Sequence, residues 1–190
     1  GSPLTKRRDL PASDEQAKAT LDDSPLHGEW VGVLNVVPSR PRLRAYVVHP
    51  VRQTAGPMVI VVSDNRGMSD WIRAVGHQLA QEGFTAVVPD LWSGLGPNGG
   101  DSESFANADE MARAMGQLSR EEINRRLQAV WDFGFRLPAV TEKTAIIGFG
   151  SGGSQSFDFA AGQPALVAAG QPMLGAAVVF DAQPPMPAAL

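Results

Sequence analysis

Cysteine is absent from the 190 residues, which rules out disulfides, thiolate metal sites and a cysteine nucleophile but leaves the compartment open. No apolar run reaches the roughly 20 residues that a membrane-spanning helix needs, so no membrane partner is expected. Basic charge is short as well. Sixteen Lys and Arg stand against 20 Asp and Glu, a formal net charge of −4, and no basic stripe suits a phosphate backbone; nucleic acid is not an expected partner. Histidine is limited to His27, His49 and His77. The strand-end carboxylates Asp64 and Asp90 have no clustered histidine beside them, so neither a metal nor another cofactor is expected.

What is present suffices for one core, since 43% of the residues are hydrophobic. Residues 1–28 are polar and broken by Pro3, Pro11 and Pro25, and read as an arm carrying a short surface helix over Ser13–Leu21. Gly1-Ser2 read as a cloning remnant. A leader trimmed ahead of them would mean export (periplasmic or secreted), so the compartment stays open between export and the cytoplasm; Lys6-Arg7-Arg8 read as a solvated charge run. Residues 29–182 carry the domain, and 183–190 form an irregular tail.

Within the domain, Glu29–Val37 and Leu43–His49 are β-rich runs joined through Pro38-Ser39-Arg40-Pro41, the pattern of a hairpin. Val59-Ile60-Val61-Val62 is the unbroken apolar run of a buried parallel strand. Ser69 or Asp70 caps a helix whose inner face is Ile72, Val75, Leu79 and Ala80, and Gly83 stops it. On that helix His77 reads as a flank residue facing water. Thr85–Val88 is another buried strand, after which Asp90 is expected to bind backbone N–H groups of the next loop. A helix is expected near Ala106–Leu118, and Ser119-Arg120-Glu121-Glu122 matches a capping box for another that runs to Pro138. Strands at Thr144–Ile147 and Gly175–Phe180 flank a helix over Gly153–Ala161. An antiparallel start followed by alternating strands and helices predicts a mostly parallel sheet covered by helices on both faces.

The central motif is Gly148-Phe149-Gly150-Ser151-Gly152-Gly153, which follows one strand and opens a helix. This is the frame of a nucleophile elbow, in which the residues two places either side of the apex must be small. Gly148 and Gly152 meet that demand and put Gly150 at the apex, where there is no hydroxyl or thiol. Ser151 as a displaced nucleophile would set Phe149 where bulk blocks the turn. Together with Val59–Asp64, Asn65-Arg66-Gly67, Trp71 and Gly83–Leu91, the motif resembles the dienelactone hydrolase family of α/β-hydrolases over about His27 to Phe180.

The resemblance implies a three-layer α/β-hydrolase sandwich with an antiparallel N-terminal hairpin, here lacking the last strands. It implies an acid at Asp64 beside the apex and oxyanion donors on the backbone of Asn65 and Ser151. The family's catalytic Asp and His would lie beyond Leu190. The expected function is therefore that of a degenerate member, an ester- or lactone-hydrolase-like domain without hydrolytic activity of its own. It would bind a small carboxylate or ester through Asp64, Asn65, Arg66 and Ser151, or act as an interaction module. The strand 176–180, an apolar edge, would pair with a second copy or a complementing chain.

Two alternatives stand beside it. One is an active carboxylic-ester or lactone hydrolase completed by another chain or by residues beyond Leu190. The other is a dinucleotide-binding domain, since Gly148, Gly150 and Gly153 match G-x-G-x-x-G and Asp181 ends the next strand. Trp71, Trp92 and Trp131 read as packing residues as readily as pocket walls.

Overall fold

The computed structural model describes residues 10–33, 42–52, 54–162 and 174–182. The expected turn at 38–41, the charge run at 6–8 and the tail 183–190 lie outside the described residues.

Strand β1 (Gly28–Val33) pairs antiparallel with β2 (Leu43–Val48), and β2 pairs antiparallel with β4 (Thr85–Pro89). From there the sheet is parallel. Strand β3 (Gly56–Val62) lies between β4 and β5 (Val140–Phe149), and β6 (Ala176–Phe180) lines the far side of β5. The order β1-β2-β4-β3-β5-β6 is the mostly parallel sheet with an antiparallel hairpin that the patterning predicts.

Two cores follow from the alternation of side chains along each strand. On one face Met58, Ile60 and Val62 pack with Leu127, Val130 and Trp131 of α4 (Arg120–Phe135) and with Phe159 of α5 (Ser151–Ala161). On the other, Val59 and Val61 pack with Ile72, Val75 and Ala80 of α2 (Asp70–Gln81). Helix α3 (Ala108–Met115) adds Met111 to the first core, and α1 (Asp14–Asp22) lies outside α2. Helices on both faces complete the three-layer sandwich.

The caps show how locally these helices are specified. Ser13, Ser69, Asn107 and Ser119 each accept a backbone N–H of the first turn, which would otherwise lack a partner. Only half of the capping box at 119–122 forms. Ser119 Oγ accepts from Glu122 N at 3.1 Å, whereas the Glu122 carboxylate turns to Arg125 and the buried Arg126.

His77 corrects the sequence reading. It is 3% exposed, with Nε2 at 2.9 Å from the Tyr46 hydroxyl and Nδ1 at 2.7 Å from Ser24 Oγ. A helical pattern reports only the face turned to the sheet. Here the flank of α2 is also covered, by Tyr46 on β2 and by the chain that leaves α1. Burial, reinforced by the positive charges of Arg73 and His27, pushes the His77 pKa below its ordinary value. Trp92 and Trp131 prove to be core residues, each 2% exposed.

Candidate functional site

The parallel register sets Val62 beside Gly148, so the chain leaves β3 and β5 at the same end and side by side. The loop after β3 begins Ser63-Asp64-Asn65-Arg66, and the turn after β5 is Gly150. This is the carboxyl edge of the parallel strands, where open α/β sheets hold their ligands.

Gly150 sits at φ 51° and ψ −120°, a backbone conformation that side chains other than glycine adopt only under strain. Its N–H donates to Phe180 O at 2.8 Å, and its carbonyl accepts from Gly153 N at 3.0 Å. Around it the glycine frame is sterically enforced. A Cβ on Gly152 would fall 2.7 Å from Val62 O and closer still to Ser63 O; one on Gly148 would fall 2.6 Å from the carbonyl carbon of Gly152. A Cβ on Gly150 would meet only Asp64 Cβ, at 3.3 Å. The apex is thus the one open position of the turn, and Ser151 is the exposed first residue of α5. Gly152 has no place in the G-x-G-x-x-G pattern, yet it is among the most tightly packed of these glycines, which favours the elbow reading of the motif.

The acid loop is a self-contained ionic turn. Asp64 Oδ1 accepts from Arg66 N at 3.0 Å, and Oδ2 accepts from Arg66 Nε at 2.9 Å. Such an Asx-type turn is what Asp at a loop start does well. Arg66 also reaches Asp14 of α1 at 3.5 Å and stands 5.6 Å above the Trp71 ring. Ser63 Oγ, buried beneath this turn, has no hydrogen-bond partner. Among the described residues no hydrogen bond engages the N–H of Asn65 or Ser151. As the first residue of α5, Ser151 has an N–H with no carbonyl of its own helix to meet.

An aromatic wall closes one side. Trp71 meets Phe149 edge-on at 4.9 Å between centroids, and Phe149 stacks on Phe180 at 5.2 Å. Trp71 Nε1 donates to Pro11 O at 2.8 Å, so the N-terminal segment reaches this end of the sheet too. Asp181, next after Phe180, holds φ 50° without being glycine.

Beneath the loop lies a buttress. Asp90, 1% exposed, accepts from Trp92 N at 3.0 Å, Ser102 N at 3.0 Å and Ser102 Oγ at 2.8 Å. This is the backbone-binding role expected for it. Burial raises the Asp90 pKa, and the bonds from Ser102 and Trp92 work against that rise. Ser102 Oγ in turn accepts from Met68 N at 3.2 Å, and Gly67, at φ 65°, rests where a Cβ would strike Ser102 and Met111.

The structure therefore gathers Asp64, Asn65, Arg66, Gly150 and Ser151 at one edge. It leaves the three histidines elsewhere: His77 under α1, His27 ahead of β1, and His49 beyond β2, 3.5 Å from Glu29. Sequence reasoning missed Asp14, Ser102 and Phe180 as neighbours of this edge. No local pattern signals any of them, because each arrives from a distant segment.

Comparison with known proteins bears on the family and the fold. The profile described as the dienelactone hydrolase family matches residues 43–187. An inferred carboxymethylenebutenolidase of Yersinia pestis is 28% identical over 145 residues, which are 75% of this chain and 53% of that protein. Another inferred carboxymethylenebutenolidase, from Aquifex aeolicus, is 30% identical over 141 residues, covering 70% and 57%. The chain thus spans about half the length of the curated relatives it matches. Among solved structures, an inferred dienelactone hydrolase of Klebsiella pneumoniae superposes with a TM-score of 0.69 at 23% identity, covering 87% of this chain and 63% of that one. At that identity the likeness speaks for the fold.

Proposed function

The chain belongs to the dienelactone hydrolase family, and from that premise we propose that, as it stands, it binds a small carboxylate or ester without hydrolysing it. One observation carries the reading: the apex of the elbow, at the carboxyl edge of the sheet, is Gly150 and has no side chain. A covalent route to ester cleavage needs a nucleophile with a base in hydrogen-bond reach. The Ser151 hydroxyl has no imidazole beside it, and Asp64, the acid against the apex, is engaged with Arg66. What remains are groups that hold an anion: the Asn65 and Ser151 amides, and the Arg66 guanidinium once it exchanges Asp14 for a ligand. Arg66 is suited to this, since its planar fork matches a carboxylate. The relatives' name, carboxymethylenebutenolidase, points to a lactone that itself carries a carboxylate.

Purified protein is expected to show no turnover of aryl esters or enol lactones above the buffer rate. Gly150→Cys is expected to stay silent too, because no histidine lies near the apex. Turnover abolished by Ser151→Ala would overturn the reading. So would substantial activity in Gly150→Cys.

The exposed edge supports an interaction role beside binding. Val178, Val179 and Phe180 of β6 are 44, 39 and 44% exposed, and β6 is hydrogen-bonded to β5 on one side alone among the described strands. An open apolar edge of this kind pairs readily with another strand. The homodimer version predicts a dimer by sedimentation at tens of micromolar that Val179→Lys converts to monomer. A monomer at every concentration would exclude it.

A further inference from the structure

Away from the elbow, a cavity of about 390 Å³ opens where α1, the chain leading into β1, the middle of β2 and α2 meet. That volume lies in the range of small-molecule sites. Its walls carry the cations Lys18 and Arg73, the carboxylates Asp22 and Asp70, and the polar rings of His27, Tyr46 and His77. We propose that this cavity binds a small oxyanion, a phosphate or carboxylate group, between Lys18 of α1, Arg73 of α2 and the Tyr46 hydroxyl.

The floor is built to present a hydrogen-bond donor. Ser24 Oγ accepts from Leu26 N at 3.3 Å and lies 2.7 Å from His77 Nδ1, and the proposed site assigns the Ser24 proton to that nitrogen. His77 then carries its proton on Nε2 and donates to the Tyr46 oxygen at 2.9 Å. In that tautomer the Tyr46 oxygen accepts from His77, and its own phenol proton is free for a ligand in the cavity. Because the imidazole is buried and stays neutral, this chain keeps one direction without adding a charge. Gly28 is part of the same construction. Any Cβ there would collide with the Tyr46 ring, so the absence of a side chain is what lets the phenol stand in the wall.

The charges are placed to match. Lys18 is exposed, and no ion pair engages it among the described residues. Arg73 is paired with Asp70, and its guanidinium lies 5.7 Å from the Tyr46 ring centroid. Burial lowers the His77 pKa and the field of Arg73 adds to that, whereas burial raises the Tyr46 pKa against the same field, so the phenol keeps its proton. Asp22 is the acid on the wall that no cation engages among the described residues, and it can accept from a hydroxyl carried by the ligand. An oxyanion in the cavity would bridge α1 to α2 and hold the N-terminal segment to the domain.

Titration calorimetry at constant ionic strength, with inorganic phosphate in one arm and malonate in the other, tests this site. Saturable binding of at least one anion is expected. Lys18→Ala and Tyr46→Phe should each weaken it about tenfold, the loss of one charge-assisted or directed hydrogen bond. Lys18 is exposed at the cavity wall and makes no ion pair among the described residues, so its variant folds; Tyr46→Phe keeps the ring and removes only the donor. Tyr46 lies in the middle of β2, away from the elbow edge, so a carboxylate bound at that edge instead would be indifferent to Tyr46→Phe. Lys18 lies one turn along α1 from Asp14, which pairs with Arg66, so Tyr46→Phe is the variant that separates the two sites. Bound phosphate or malonate should also slow tryptic cleavage after Lys18. Absence of saturable heat with both anions, or affinity unchanged in either variant, overturns the proposal.

Discussion

Gly152→Ala is expected to prevent stable folding, and Gly148→Ala to do nearly the same, while Gly150→Ala leaves a folded protein. The three glycines lie within five residues, so the contrast isolates geometry from composition. At Gly152 the added methyl meets the backbone carbonyls of Val62 and Ser63, and at Gly148 the backbone of Gly152 and the Ser156 hydroxyl. Backbone in a central parallel strand cannot step aside without breaking its pairing with β5. Overpacking in cores that can relax costs about 1–3 kcal/mol. A collision with fixed backbone exceeds that, on the order of 4 kcal/mol or more, a large share of the roughly 5–15 kcal/mol that holds a typical domain folded.

At Gly150 the methyl finds space, and the cost is the strain of a positive φ, roughly 1–3 kcal/mol. Urea unfolding followed by circular dichroism reads all three. A Gly150→Ala variant less stable than Gly152→Ala would mean that the crest of the turn is elsewhere.

The second large effect is expected at Asp90. Asp90→Ala removes one carboxylate and strands three donors: the amides of Trp92 and Ser102 and the Ser102 hydroxyl. Each buried donor left unmatched costs about 1–3 kcal/mol, and the three are coupled through one side chain, so a loss of about 3 kcal/mol or more is expected. Asp90→Asn should recover only part of it. An amide offers one acceptor oxygen, and its NH2 group would face a donor at Trp92 or at Ser102.

The effect should travel to the elbow edge. Ser102 supports Met68 and Gly67, which end the loop carrying Asp64, Asn65 and Arg66. A loss of ligand affinity in Asp90→Asn, at a temperature where the variant is fully folded, is the signature of that path. Equal stability of Asp90→Ala and the parent in urea would refute the account of Asp90 as a buttress.

Strand β3 and the elbow were legible in advance because their signals are local. Val59-Ile60-Val61-Val62 is apolar on both faces, which a chain tolerates only when both faces are covered. Gly148 and Gly152 report the close approach of strand and helix through the side chains they lack. The acid loop was half legible. An Asp that opens a loop can be expected to bind its own backbone, and Asp64 does; that Arg66 would close back on it and also reach Asp14 depends on where α1 comes to rest. His77 was misread for the same reason, since Tyr46 and Ser24 are 31 and 53 residues away along the chain.

By itself, then, the order of residues determined the sequence of strands and helices, the glycine frame of the turn after β5 and the missing side chain at its crest. Those are matters of periodicity and of steric demand between neighbours. Only the folded chain decided what Arg66 pairs with, that Asp90 and Ser102 prop the acid loop, and that His77 lies under α1 beside a polar cavity. Each of these is a meeting of segments far apart along the chain, and their contacts form only when the sheet and its two helical layers have assembled.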